Sequence, residues 1–218
     1  MIVFADYGAD MRNKLLTVTL LVLAATFSCS QAVHPVPRRA ERQPGLPNSR
    51  ERMSQEVQKP FTLPLKDPLI VVRKKDRRLE LYSDQLVVRT YRVGLGFSPV
   101  ADKMKEGDGA TPEGEFYVFV KNSKSAYYLS LGISYPNAED ADRGLRDNLI
   151  SRKQHDAIVA AIKAKVAPPQ YTKLGGLIYI HGNGAGSDWT WGCVALENTD
   201  MKELYDAVTV GTPVTIKP

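Results

Sequence analysis

The sequence is short of the residues from which metal sites and covalent staples are built: two cysteines, Cys29 and Cys193, and three histidines in 218 residues. A zinc site takes three or four thiolate, imidazole or carboxylate ligands at close spacing, so no metal centre and no cofactor is expected. No apolar run reaches the ~20 residues of a membrane-spanning helix. Leu15–Phe27, thirteen residues after Arg12 and Lys14, has the length of a secretory signal core instead. The net charge of +5 is a modest excess without aromatic interleaving, which is poor evidence for nucleic-acid binding. Internal repeats are absent.

The N-terminus therefore reads as an export signal over residues 1–32. Asp6 and Asp10 have the wrong sign for its positive end, which suggests translation from Met11. Cleavage after Ala32 fits small residues at Ser30 and Ala32. Cutting before Cys29 with lipidation there is the competing option, weakened by Thr26, and an uncleaved anchor stays open. Membrane contact is expected only through the signal or such a lipid, and the location is the periplasm or cell envelope. Residues 33–64 are rich in Pro, Arg, Gln and Ser with almost no apolar periodicity, and read as a disordered linker with a helical turn over Glu51–Gln58. Residues 28–60 hold six Lys or Arg against three acids. That is a plain charged linker, or a tether near anionic envelope polymers.

The folded domain is expected over residues 65–218. Leu69–Arg73, Arg77–Tyr82 and Gln85–Val93 read as a β-meander, the last two joined by a turn at Ser83-Asp84, with Arg78, Glu80 and Tyr82 on a wet face. Glu115–Val120 and Ala126–Leu131 read as further strands. A helical insertion follows over Asn137–Ala167, stopped by Pro168-Pro169. Leu177–Ile180 is a short strand-like run before His181. Met201, Leu204, Tyr205 and Val208 mark an amphipathic helix capped by Asn198 or Thr199, and Val214–Ile216 a last strand. The fold class is mainly β with helical insertions, an α+β arrangement.

Residues 179–196 read YIHGNGAGSDWTWGCVAL, placing His181 twelve residues before Cys193, the one cysteine that outlasts the signal. A thiol attacks as thiolate and needs a base or a positive dipole beside it. His181 ends a strand, where its ring can point into a cleft, and Gly192 permits the tight turn an oxyanion site requires. An inert buried cysteine beside a satisfied core histidine remains the alternative on spacing alone. Asp188 is the only acid nearby, too few ligands for zinc. His34 falls in the linker and His155 in a polar helical stretch.

These residues resemble the YkuD-type L,D-transpeptidase catalytic domain. The matching pieces are the opening strands, the loop GDGATPEGEF from Gly107 to Phe116 with its Thr-Pro-x-Gly-x-Phe element, His181-Gly182, and Thr190-Trp191-Gly192-Cys193 followed by Val194. The resemblance spans about residues 67–217. It implies a β-sandwich-like domain whose cysteine attacks a peptidoglycan stem peptide at the L-centre of its third residue and expels the terminal D-alanine. Carried over by position, Cys193 is the nucleophile and His181 the base. The Gly182 carbonyl orients the ring, and backbone groups from Trp191 through Gly192 to Cys193 hold the oxyanion. Thr111, Gly114, Trp189 and Thr190 are candidates to line the substrate cleft, although Pro-Gly turn chemistry and ordinary core packing compete for them.

Trp191 departs from the family pattern, which has a second histidine there. The Cys-His pair is intact, but the acceptor is left open: the amine of a second stem, a lysine of an envelope lipoprotein, or water in a carboxypeptidase or amidase reaction. Ser134-Tyr135-Pro136-Asn137-Ala138 looks like a feature of the YafK-like branch. Papain-like and NlpC-like peptidases place Cys before His, and sortases need an arginine after the cysteine, which this chain lacks. A non-catalytic peptidoglycan-binding module is the rival from another class.

Overall fold

The computed structural model describes residues 61–218; the expected signal, start site, Cys29 and most of the linker lie outside the described residues. Eight strands form a mixed sheet of order β3-β2-β1-β8-β4-β5-β6-β7. β1 (Leu69–Arg73), β2 (Arg78–Ser83) and β3 (Leu86–Arg92) make the expected antiparallel meander. The β-branched run of β1 suits a central strand. β8 (Pro213–Lys217) pairs parallel to it on the side away from β2, and Ile70, Val71 and Val72 are buried in succession.

Two local expectations shift. Positive φ angles of 50° at Asp84 and 67° at Gln85 put the hairpin turn one residue later than Ser83-Asp84. The wet face of β2 is closed at Glu80, which is buried and accepts hydrogen bonds from Arg73 Nε at 3.0 Å and the Tyr82 hydroxyl at 2.9 Å. Burial pushes the Glu80 carboxyl up, but those two donors outweigh it and hold its pKa below the ordinary value.

β4 (Gly114–Ser125) is the hinge of the architecture. Its first four residues pair with β8, and from Val118 onward it pairs with β5 (Tyr128–Ile133), so one strand serves both layers. β6 (Tyr179–His181) adds antiparallel to β5, and β7 (Val194–Ala195) parallel to β6. Gly94, just past β3, exchanges backbone hydrogen bonds of 2.9 and 2.8 Å with Ala195 of β7. The two edges of the sheet therefore meet, and the sheet wraps one core that includes Ile70, Leu81, Phe116, Ile133, Ile180 and Val194. Each such side chain stabilises the fold by about 1.5–3 kcal/mol. The fold class is mainly β with helical insertions, as the sequence indicates.

The helical insertion resolves into two helices, α1 (Ala138–Arg146) and α2 (Arg152–Lys163). Each starts in a capping box, Asn137 with Asp140 and Ser151 with Gln154. They enclose a second small core of Ala141, Ile150, Ile158 and Leu174. The Ser134–Ala138 motif joins this unit to the sheet: the Tyr135 hydroxyl donates to the Leu174 carbonyl at 2.8 Å, and Asn137 caps α1. In α3 (Asn198–Ala207) the cap is Glu197, not Asn198 or Thr199. The Asn198 side chain instead accepts the Asn183 N–H at 2.8 Å, tying the helix to the loop after His181.

Candidate active site

Strand register decides which side chains share the site. Asn122 of β4 lies opposite Ser130 of β5, and Ser130 opposite His181 of β6. Directly paired residues project from the same face, so these three polar side chains form one row. In the parallel β6–β7 pair, Ile180 aligns with Val194 and His181 with Ala195. Cys193, one residue before Val194, thus comes alongside Tyr179, whose N–H donates to Sγ at 3.4 Å.

The segment between His181 and Cys193 is fastened at several points. Asp188 accepts from Arg77 Nε at 3.0 and 2.9 Å and from the Leu95 N–H at 3.0 Å, so this acid anchors the loop and is spent as a metal ligand or triad member. Thr190 Oγ1 donates to the Cys193 carbonyl at 2.7 Å and accepts the Gly192 N–H at 3.1 Å. Gly192 has a φ of +124°, and a Cβ there would sit 2.6 Å from the Ala110 carbonyl oxygen, so only glycine fits the turn that presents the thiol.

Cys193 and His181 open into one cavity of about 300 Å³, walled by Asn122, Lys124, Ser125, Ala126, Tyr127, Ser130, Leu177 and Tyr179. His181 is buried and Cys193 half-buried. His181 Nδ1 is 2.6 Å from the Gly182 carbonyl oxygen, which can only accept, so Nδ1 carries the proton and Nε2 is left with its lone pair. No hydrogen bond joins Sγ to the imidazole in this resting arrangement. The thiol points to the Leu177 carbonyl at 3.6 Å. Tyr127 lies over the ring at 4.7 Å and 30°, and Trp189 meets it edge-on at 5.7 Å.

Burial sets the protonation of the pair. It pushes the Cys193 thiol above its ordinary value, partly offset by the Tyr179 N–H and the charge of Lys103. It pushes His181 below its ordinary value, partly offset by the Gly182 carbonyl. Both shifts favour uncharged groups, so the free protein holds a thiol and a neutral imidazole, not a thiolate–imidazolium pair.

The other expected site residues divide sharply. Thr111 is fully buried, its hydroxyl accepting the Gly96 N–H at 3.0 Å, and it does not reach the cavity. Gly114 opens β4 opposite Ile216, also away from it. Thr190 is a staple of the cysteine turn, not a cleft wall. The Gly192 amide is occupied by Thr190, whereas the amides of Trp191 and Cys193 have no acceptor among the described residues. Trp191 is 69% exposed and packed edge-on against Phe97 at 4.8 Å; it does not line the cavity. Trp189 contacts the His181 ring, its indole N–H held by the Gly184 carbonyl at 3.1 Å. Sequence reasoning missed Asn122, Lys124, Tyr127 and Ser130. A buried serine within the apolar β5 run was the one local sign.

Residues 67–216 match the L,D-transpeptidase catalytic domain family, YkuD. YqjB of Bacillus subtilis (strain 168) is 28% identical over 155 residues, which cover 69% of this chain and 71% of that protein. Similar solved structures include the helical cell shape determining protein Pgp2 from Campylobacter jejuni, 22% identical with a TM-score of 0.46, and an L,D-transpeptidase from Mycobacterium smegmatis, 14% identical with a TM-score of 0.41. The matches cover 69% and 70% of this chain but only 47% and 59% of those, so the chain spans about half the length of these structural relatives. With about two thirds of its length matched, this chain belongs to the YkuD family of L,D-transpeptidase catalytic domains.

Proposed function

We propose that the protein is an exported cysteine L,D-transpeptidase of peptidoglycan, with Cys193 as nucleophile and His181 as general base. The observation that carries this reading is the opening of thiol and imidazole into one cavity, with Nδ1–H tied to Gly182 so that only Nε2 can take a proton. In the proposed cycle the sulfur turns from the Leu177 carbonyl toward the ring and gives its proton to Nε2. The thiolate adds to the carbonyl carbon of the third residue of a tetrapeptide stem. The unoccupied amides of Trp191 and Cys193 are suited to hold the resulting oxyanion. The C–N bond to D-alanine then breaks, the imidazolium returns the proton to the leaving amine, and a thioester remains on Cys193.

An amine completes the reaction by attacking the thioester carbonyl, its proton passing to His181 as the C–S bond breaks and the thiol reforms. The acceptor is the side-chain amine of a second stem or a lysine of an envelope lipoprotein; water in its place gives the carboxypeptidase reaction. The apolar Leu15–Phe27 run after Arg12 and Lys14 supports export to the cell envelope. The test is release of D-alanine from purified tetrapeptide stems with and without an amine acceptor. Wild-type protein should release it and join the acceptor, and Cys193→Ala should do neither. Absence of release by the wild type would refute the assignment.

A further inference from the structure

The cavity wall carries one charged side chain, and it is a cation. Lys124, near the end of β4, lines the cavity that Cys193 and His181 share, and no carboxylate lines it. Its ammonium has no hydrogen-bond or ion-pair partner among the described residues, as for several other exposed lysines, and what sets it apart is its place on the cavity wall. Its backbone is nonetheless fixed: the Lys124 N–H donates to Asn122 Oδ1 at 2.9 Å, within the irregular stretch of pairing between Asn122 and Ser125. Asn122 and Lys124 both line the cavity. An exposed lysine on the wall of a cavity that no carboxylate lines matches a ligand that brings its own negative charge.

We infer that Lys124 is a specificity-determining residue that pairs with a carboxylate of the peptide whose acyl group Cys193 accepts. The inference rests on the proposed acyl transfer and adds the charge the substrate must carry. Two carboxylates of such a peptide could meet it: that of the terminal residue that leaves, or one borne on the acyl-donor part that stays on sulfur. In the first case Lys124 acts only until the leaving group departs, and in the second it also holds the thioester intermediate.

Three purified proteins, wild type, Lys124→Met and Lys124→Glu, are compared on three peptides: a stem tetrapeptide with all carboxylates free, one amidated at the terminal residue, and one amidated on the donor part. Release of the terminal residue gives kcat and KM. For the free acid, Lys124→Met should raise KM about fivefold and Lys124→Glu more, with kcat within about twofold, as expected for a solvent-screened pair at a cavity mouth. On one of the two amidated peptides wild type and Lys124→Met should behave alike, and that peptide names the carboxylate read. Equal KM for wild type and Lys124→Met on the free acid, or an equal loss on all three peptides, overturns the inference while turnover by the wild type leaves the parent reading standing. A wild type that processes none of the peptides overturns both.

Discussion

At the scale of single residues, burial disfavours the charged forms of both Cys193 and His181. The thiol is raised above its ordinary value of 9.0 and the imidazole lowered below 6.5, in each case chiefly by burial. Iodoacetamide labelling of Cys193 in the free protein should therefore accelerate steadily with pH to beyond 9. A thiolate–imidazolium pair would give a plateau from about pH 5 upward. In turnover, kcat/KM should rise with pH along an acid limb whose midpoint lies below 6.5, because protonated His181 cannot accept the thiol proton. An acid limb above that value contradicts the burial argument.

Thr190 acts at the same scale through the backbone groups it holds. Its hydroxyl holds both the Cys193 carbonyl and the Gly192 N–H, so Thr190→Val leaves one part-buried and one buried backbone group unpaired. The expected cost is about 1–3 kcal/mol of stability. Misplacement of the nucleophile should add a fall in kcat of about tenfold or more in protein that remains folded. Thermal melts and steady-state kinetics on the same preparation separate the two effects, and an unchanged kcat would show that the turn keeps its shape without the staple.

Cys193 and His181 were legible in the sequence because their chemistry is rare in this chain and glycines crowd both. Ser130 and Asn122 were not, since what brings them to His181 is the register of β4, β5 and β6, a pairing between segments more than 50 residues apart in sequence at its widest. Thr111, Gly114 and Thr190 stood out for the same motif that carries the family resemblance, yet their side chains or backbone serve the loops that frame the site, and nothing in a linear pattern separates framing from contact.

At the scale of elements, period-two alternation and β-branched runs located the meander, the strand expected over Glu115–Val120 proved to run on to Ser125, and β7, two residues long, left no pattern at all. The α1–α2 unit was visible as helical but not as two helices, because the break at Asp147–Ser151 contains neither proline nor glycine. His155 joins the two: its ring nitrogens lie 2.7 Å from Asp142 of α1 and 2.8 Å from Asp156 of α2. Those two hydrogen bonds raise its pKa above the ordinary value. The folded protein thus holds the proton more tightly than the unfolded chain, a contribution complete below pH ~6.5 and lost as pH rises through the raised value. His155→Gln should lower the melting temperature at pH 5.5 and have a smaller effect at pH 9. An effect of equal size at both would mean the ring acts by packing alone.

At the scale of the whole molecule, a single sheet whose edges meet at Gly94 and Ala195 holds the cysteine loop between a closed core and solvent. Arg77, in the turn between β1 and β2, reaches Asp188 in that loop, so the opening strands and the cysteine loop are mechanically joined across 111 residues of sequence. Asp188→Asn should weaken this anchor, lowering kcat/KM and hastening proteolytic cleavage within Gly184–Trp191 under native conditions. Unaltered proteolysis would mean that the Glu197 and Asn198 contacts suffice to hold the loop.

The account turns on acyl transfer to one sulfur assisted by one imidazole. Intact-mass spectrometry of protein mixed rapidly with a tetrapeptide stem reads that step directly. The predicted result is an adduct on Cys193 equal in mass to the stem less D-alanine, absent in Cys193→Ala and formed about 10²–10⁴ times more slowly in His181→Ala. No adduct on wild-type protein, or one that forms at an undiminished rate in His181→Ala, would contradict it.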